Sequence, residues 1–528
     1  MPEPARVEYR RYRAPREDRT ALVEPSWSDV PQMVSRNRRC RGQHRHELHG
    51  ASLLELGRQA RRELVDAALA YTRQYRDAAA ADPSGPLFLA GHQPQLFHPG
   101  VWFKNFALGE LARRQGATAI NLIVDSDTMK THTVRVPGGT ATDPHVAAIP
   151  LDDPGEVVPF EDHVIVNREL FATFADRAGD EIQSLVQSPL LPRYWELVRE
   201  RMDHTDNLGE CLAQARHQLE GQWGIQTLEL PQSQVCRLEA FAWFAVHLLA
   251  ELPRLLPTYN MAVQHYRRAH RIRSAAHPVP DLAEDGSWRE APFWVWTAQD
   301  PRRRRLFVCQ EAGNLRLSDR AGLDARLPFS PGDAASAAHA LLELGRRGVR
   351  VRSRALITTL WARLVLGDLF VHGIGGAKYD QVTDEIMARF FGIRPPGVMV
   401  VSATLQLPVE RKKASLDDAA ALDRQLRDLQ WHPERRLVDP PSEAAELAAA
   451  KARWIADDDA SRGRQRRREI RRINDELQPF VAPVRASLLD QQAALAEALR
   501  REKILGSREY AFCLYPENQL REFFGSLL

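Results

Sequence analysis

Apolar positions along the chain change their spacing several times, and each change marks a different kind of element. From Ala51 to Ala80 they recur three or four apart, at Leu53, Leu56, Ala60, Leu64, Ala67, Ala68 and Tyr71, which predicts an amphipathic helix. Asp82-Pro83-Ser84-Gly85-Pro86 ends it. The pattern then becomes strand, loop, helix, strand: Leu87 to Ala90, Gly91 to Gly100, Val101 to Gln115, Ala119 to Val124. Both strands read as largely apolar runs, as expected of a parallel sheet covered on both faces. Helical spacing dominates from about 168 to 275, interrupted by a short strand near Thr227 to Leu230. Short strands follow around Phe293 to Trp296, Leu306 to Cys309 and Leu315 to Leu317. α/β alternation resumes at Ala335, and a strand near Val398 to Val401 closes the core. From Leu407 to Arg501 the chain is rich in Ala, Leu, Arg, Glu and Asp, with a helical seam at Ile470, Ile473, Leu477, Phe480, Val484 and Leu488 that Pro479 and Pro483 must break. Packing within one chain and an intermolecular helical hairpin both account for that seam; the expectation is a homodimer through residues 410 to 505.

Composition narrows the function class. The chain has 528 residues, 44% hydrophobic and 27% charged, so it builds its own core without staples. Its 72 Lys+Arg against 69 Asp+Glu leave a net charge of +3, which gives no support to nucleic-acid binding or to a membrane-surface role. The basic run Arg462 to Arg472 reads as the solvated face of a helix, since acidic residues flank it and no aromatic residues interleave. Five scattered cysteines, Cys40, Cys211, Cys236, Cys309 and Cys513, lack CxxC spacing and fit a reducing, cytoplasmic setting as inert thiols dispensable for chemistry. The polar, Arg-rich start and the absence of any window of about 18 apolar residues indicate neither export nor insertion.

Candidate chemistry gathers where an open α/β sheet places ligands, beyond the carboxyl ends of its strands. In the first segment, Gly91 to Gly100, Gly91 turns the chain, His92, Gln93 and His98 offer polar groups at a helix start, and Lys104 adds a charge for an anionic ligand. A polar turn stapled by Leu96 and Phe97 is the structural alternative. In the second, Asp125-Ser126-Asp127 follows the strand Ile120 to Val124, with His132 a few residues on. Two carboxylates bracketing one residue suit Mg²⁺ or Mn²⁺ with a diphosphate, or orientation of an amine, and helix capping by Asp127 competes with both. In the third, the glycine-rich loop around Gly373, Gly375 and Gly376, with Lys378 and Tyr379, exposes backbone N–H groups to a phosphate or carboxylate, unless the glycines serve tight packing alone. Right-handed crossover puts the first two on one sheet edge, so Gln93, Asp125, Asp127 and His132 are expected to share a pocket with Gly373 to Lys378. Cys40, His44, His46 and His49 also lie close together, but their spacing matches no standard zinc motif and arginines surround them; a solvated loop is the expectation.

These segments, in this order, resemble bacillithiol synthase. Gly91-His92-Gln93 with Leu96-Phe97 is similar to that family's Gly-Gln-Gln…Leu-Phe loop, and Asp125-Ser126-Asp127…His132 to its Asp-His-Asp segment and following His. Gly373 to Tyr379, Ser402-Ala403-Thr404-Leu405 and the closing Tyr515 to Glu522 resemble its glycine-rich loop, Ser-x-Thr-Leu strand end and Pro…Leu-Gln-Glu-Arg segment. His92 and Ser126 depart from the family pattern, and the glycine loop is rearranged. The resemblance runs in patches from about 87 to the end. It implies a Rossmann-like parallel-sheet core with helical insertions and a late coiled-coil arm. The corresponding division is an irregular and helical segment (1–80), the first core half (81–160), a mainly helical insertion (161–290), the second core half with short strands (291–406), the arm (407–505) and a segment returning to the core (506–528). It further implies a ligase-like enzyme joining an amino acid, cysteine in the family, to the amine of a small amino-sugar conjugate, with a nucleotide such as ATP, and Mg²⁺, as the open cofactor candidates. Asp125 or Asp127 would accept the amine's proton, while Gln93, backbone N–H groups after Gly91 and Lys378 stabilise developing negative charge. A metal-dependent nucleotidyl- or glycosyltransferase using the Asp-Ser-Asp motif is the enzymatic alternative, and a non-catalytic dimeric scaffold the other.

Overall fold

Leu87 to Ala90 has no polar face because both of its faces are covered. Leu87 and Leu89 join Ile120, Leu122, Leu228 and Leu230 in one cluster with Leu53, Leu56 and Leu64, while the intervening Phe88 and Ala90 are equally buried. Period-two alternation between two apolar layers is how a covered parallel sheet reads in sequence. The computed structural model describes residues 9–411 and 413–528. They form a mixed α/β protein, 52% helical, dividing into two compact units: Met1–Val136, Ala147–Gln406 and Arg508–Leu528, and Pro137–Val146 with Leu407–Ser507. No helix among the described residues is long and apolar enough to cross a membrane.

The first unit is built on six strands, β1 (Thr20–Glu24), β2 (Leu87–His92), β3 (Thr118–Ile123), β4 (Leu228–Pro231), β5 (Leu369–His372) and β6 (Met399–Thr404), in the order β1-β6-β5-β2-β3-β4. The last five run parallel and β1 is an antiparallel edge. Strand order reverses between β2 and β5, so their connections leave in opposite directions and a crevice opens at their carboxyl ends. Four helices matter to the site: α1 (Leu53–Thr72), α2 (Pro99–Gln115), α3 (Glu239–Ala250) and α4 (Ile374–Ile386). At the amino ends of β2 and β5, buried Asp368 accepts the Leu87 amide at 2.9 Å and pairs with Arg61 at 3.2 Å and Arg41 at 2.8 Å. Removing one partner of such a buried pair typically costs about 3–5 kcal/mol.

Several expectations from the sequence are corrected. The segment 1–80 contributes the edge strand β1 and a helix Val30–Gly42 besides α1. The stretch 161–290 is not only an insertion, because β4 within it extends the parallel sheet. The short strands near 293–317 belong to a separate antiparallel sheet, ordered Asp324–Pro328, Asn314–Ser318, Arg304–Glu311, Trp288–Thr297, Val349–Ser353. Its inner residues Phe293, Val295, Leu306 and Leu315 join the same core cluster as β2.

The second unit holds α5 (Leu416–Trp431), α6 (Ser442–Ala456), α7 (Gly463–Leu477) and α8 (Ala482–Leu505). The break between α7 and α8 is a 3₁₀ turn at Gln478–Val481 that accommodates Pro479, and Pro483 sits in the first turn of α8, where its missing N–H costs nothing. The apolar seam is divided between two small cores of this unit: Ile473 and Leu477 pack with Ala444, and Leu488 with Leu422, Leu429 and Val481. Its most buried members are therefore satisfied inside the chain, which removes much of the reason for expecting them at a dimer interface.

One contact ties helix to sheet. A Cβ on Gly100, in the first turn of α2, would stand 2.0 Å from the Ala403 carbonyl oxygen of β6 and 2.8 Å from the Arg508 guanidinium. Backbone cannot yield that far without moving the helix. Gly100→Ala is expected to destabilise the chain by at least about 3 kcal/mol in urea unfolding; a loss below about 1 kcal/mol would show that the helix start is not held against the strand.

Candidate functional site

A cavity of about 750 Å³ lies at the carboxyl ends of β2, β3, β5 and β6. All three sequence-selected segments reach it: Gly91, His92, Gln93, His98 and Lys104 from the first, Ser126 and Asp127 from the second, and Gly373, Gly375, Gly376, Lys378 and Tyr379 from the third. The sequence reading missed Trp294, Arg303, Arg354, Arg508 and Glu509, which line it as well, as does Ser402 of the Ser-x-Thr-Leu strand end. Five basic side chains (Lys104, Arg303, Arg354, Lys378, Arg508) thus face two acidic ones, Asp127 and Glu509.

Asp127 is the junction of the walls. Gln93 Nε2 donates to one carboxylate oxygen at 3.1 Å, and Arg303 donates to the other at 3.0 Å and to the Ser126 carbonyl. Burial alone would raise its pKa, but the Gln93 hydrogen bond and the Arg303 charge outweigh that and hold it below the usual carboxylate range. Asp127 is therefore a fixed anion and a weak base.

Asp125 does not share this cavity. It follows β3 in a turn, so strand alternation no longer governs its direction, and its carboxylate accepts the Ser233 amide at 2.8 Å. It lines a neighbouring pocket of about 150 Å³ with Glu161, Glu210 and Tyr71. Burial, reinforced by Glu161, pushes its pKa up to about 7. His132 also lies outside the cavity lining, its ring 5.5 Å from that of His163. The expectation that Asp125, Asp127 and His132 converge on one pocket is corrected on both counts, and the two aspartates line different pockets with different partners.

Lys104 acquires a different character from the one its sequence position suggests. On the covered face of α2, with 2% exposure, its ammonium donates to the Gly91 carbonyl. Burial, with repulsion from Arg216, brings its pKa down to about 7. Arg216 is locked between Glu220 at 2.6 Å and Glu229 at 2.5 Å. His92 is held neutral, pushed down to about 3 by burial and Lys104, and its Nδ1 lies 3.1 Å from the Gln93 carbonyl. His98 serves as the N-cap of α2, its Nδ1 accepting the Gly100 amide at 3.1 Å, and burial with Arg508 holds it neutral too.

The third segment is a helix start and not a loop: Gly373 is the N-cap of α4, and Gly375 and Gly376 lie in its first turn. No side chain caps this end, so its amides keep their hydrogen-bonding capacity for an anion. A Cβ on Gly376 would meet the His372 ring at 2.8 Å, which explains a glycine inside a helix. Burial pushes the Tyr379 hydroxyl up to about 12, so it stays a donor. Trp294 is stacked between Arg303 and Arg354, whose guanidinium carbons lie 4.4 and 4.1 Å from its ring centroid. Arg508 donates to Ser402 at 3.0 Å and Thr404 at 2.9 Å, which fixes it at the end of β6.

His217, Glu220 and Glu229 bring ligand-type atoms within 4.8 Å of one another, but Arg216 already bridges both carboxylates and the His217 ring engages Tyr75 and Thr227. That cluster fits an internal ion-pair network better than a metal centre. Comparison of the chain with protein-family models and with curated proteins finds no match.

The depressed Lys104 gives a signed test. Its folded-state pKa near 7 lies below the unfolded value near 10.4, so between those values the unfolded chain binds the extra proton and stability rises with pH, by up to about 1.4 kcal/mol per pH unit. Lys104→Met should therefore be most favourable, relative to the parent, at pH 6 to 7, and lose that advantage towards pH 9.5 in urea unfolding. A parent-minus-variant difference that is flat across this range would contradict the assignment.

Proposed function

We propose that this chain is a cytoplasmic carbon–nitrogen ligase of the bacillithiol synthase type, joining the carboxylate of an amino acid to the amine of a small amino-sugar conjugate on a Rossmann-like core. The observation that carries it is the asymmetry of the cavity: two acidic side chains, Asp127 and Glu509, set among five basic ones and the uncapped start of α4. Such a cavity suits two partners of opposite charge. A protonated amine is drawn to Asp127, and carboxylate or phosphate oxygens to Arg303, Arg508, Lys378 and the amides of Ile374 to Gly376. The strand order, reversing between β2 and β5, supports the Rossmann-like reading.

The chemistry follows from protonation states. An amine attacks an acyl carbon only after losing a proton, and the base must titrate near the working pH. Lys104 meets that condition better than Asp127, which takes the positioning role instead. As nitrogen attacks, negative charge develops on the acyl oxygen, and Gln93, Lys378 and the α4 amides are placed to stabilise it. A free carboxylate does not acylate an amine in water, so the reading requires an activating nucleotide, ATP being the first candidate, whose phosphates suit the same basic wall. The divergence of Asp125 from Asp127 favours this reading over a transferase that chelates a metal through both. Exposed Leu416, Ile455 and Leu489 on the second unit support a homodimer, although the inner seam does not; light scattering showing a 59.8 kDa monomer at micromolar concentration would remove it.

The first test is thermal unfolding of the full chain against nucleotides, amino acids and amino sugars, with and without Mg²⁺. A ligand at about 100 times its Kd adds about 2.7 kcal/mol. At least one nucleotide and one amino acid should stabilise the chain. Lys104→Met should keep nucleotide binding and lose turnover, and Asp127→Asn should weaken the amine substrate with little loss of fold. No stabilisation by any nucleotide or amino acid would end the ligase reading.

A further inference from the structure

The histidine-rich segment before α1 is not the solvated loop its composition suggests. His44 is buried, and Leu48 O, His49 O and His46 O accept the Trp243 indole at 2.6 Å, the Ala334 amide at 3.0 Å and the Leu53 amide at 2.8 Å. This pins the segment against α3, which presents His247 at 2% exposure. The His247 ring centroid lies 5.1 Å from that of His49 and 5.9 Å from that of His46. Glu251, four residues after His247 and so on the same face, brings a carboxylate oxygen to 3.3 Å from His49 Nε2.

Hydrogen bonding does not account for these rings. Both nitrogens of His247 and of His44, and Nε2 of His46, are buried without a hydrogen-bond partner among the described residues, while His49 Nε2 faces the Glu251 carboxylate. Every neutral imidazole carries one N–H, and burying it unsatisfied costs about 1–3 kcal/mol. Arg254, the cation acting on both His46 and His247, is partly neutralised by Glu251 at 3.1 Å and stacks on Phe390 with its guanidinium carbon 3.9 Å from the centroid.

We propose that His46, His49, His247 and Glu251 form a site for a divalent transition metal, with Zn²⁺ the best fit. Two ligands spaced His-x-x-His on the segment and two spaced His-x-x-x-Glu at the end of α3 supply three imidazoles and one carboxylate, the donor set and number of a tetrahedral zinc site. The ring separations are close to those of imidazoles sharing one ion, but the ligand atoms of the four side chains do not all lie within 4.8 Å of one another, so binding draws them inward by rotation about side-chain bonds. None of the four lines the cavity at the carboxyl ends of the strands, so the metal acts structurally, cross-linking the segment to α3.

The test uses the full chain, stripped with a chelator and titrated with Co²⁺, read by its d–d absorption, then displaced by Zn²⁺. About one equivalent should bind with the intensity of a tetrahedral complex, and Zn²⁺ should raise the unfolding temperature. His247→Gln and Glu251→Gln should each weaken Co²⁺ binding at least about tenfold. The Glu251 variant is the decisive one if the buried histidine change impairs folding, since Glu251 lies at the surface and its side chain is 29% exposed. His217→Gln, in the other cluster of ligand-type residues, should leave binding unchanged. Absence of stoichiometric Co²⁺ binding, unaltered affinity in the Glu251 variant, or loss of binding in the His217 variant each overturns the site.

Discussion

The Asp127 carboxylate is where the site is tied together. Gln93 reaches it from the segment after β2 and Arg303 from just before the strand Arg304–Glu311, so one anion holds residues 34 positions before it and 176 after it. Hydrogen bonds to a charged group contribute about 1.5–3 kcal/mol each when buried, and less here because the Asp127 side chain is 29% exposed. Their larger effect is geometric. Arg303 is held between Asp127 and the Trp294 face, which sets one wall of the cavity, and Asp127 is kept ionised and unable to serve as a base.

On the ligase reading proposed above, proton transfer falls to a group whose pKa is set by its buried surroundings. Lys104 sits above Arg216, which Glu220 and Glu229 hold in place, and the same Glu220 accepts from Trp102 at 2.6 Å and Asn105 at 2.8 Å on α2. Burial does most to depress Lys104, and Arg216 adds to it. An internal ion-pair network thus tunes the buried amine of Lys104, a common way for a fold to bring lysine into the neutral range.

The parts legible in the sequence were those governed by local rules. β2 and β3 could be read because both faces of each are apolar, and the shared edge of their carboxyl ends follows from crossover handedness. Gln93 and Asp127 came together for that reason. Asp125 did not join them because it sits in a turn, where the i, i+2 rule lapses. Trp294 escaped notice because the register of its strand shifts between Ala291 and Trp294, and a bulge of this kind re-aims a side chain that alternation would misplace. Arg303 lay in a run of four arginines with nothing local to single it out. The helical seam of the late region showed its period but not its partner, since the same spacing serves an intramolecular core and an intermolecular one. The histidines before α1 were read as solvated because His247, about 200 residues away, completes their surroundings only in the folded chain.

Mass spectrometry of the full chain incubated with ATP, cysteine and an amino-sugar conjugate tests the central claim most directly. The ligase account predicts a product whose mass is the sum of the two substrates less one water, formed with consumption of the nucleotide, at a rate that rises as pH passes through about 7 and Lys104 loses its proton. Absence of any condensed product across amino acids and amines, with the nucleotide left intact, would contradict it.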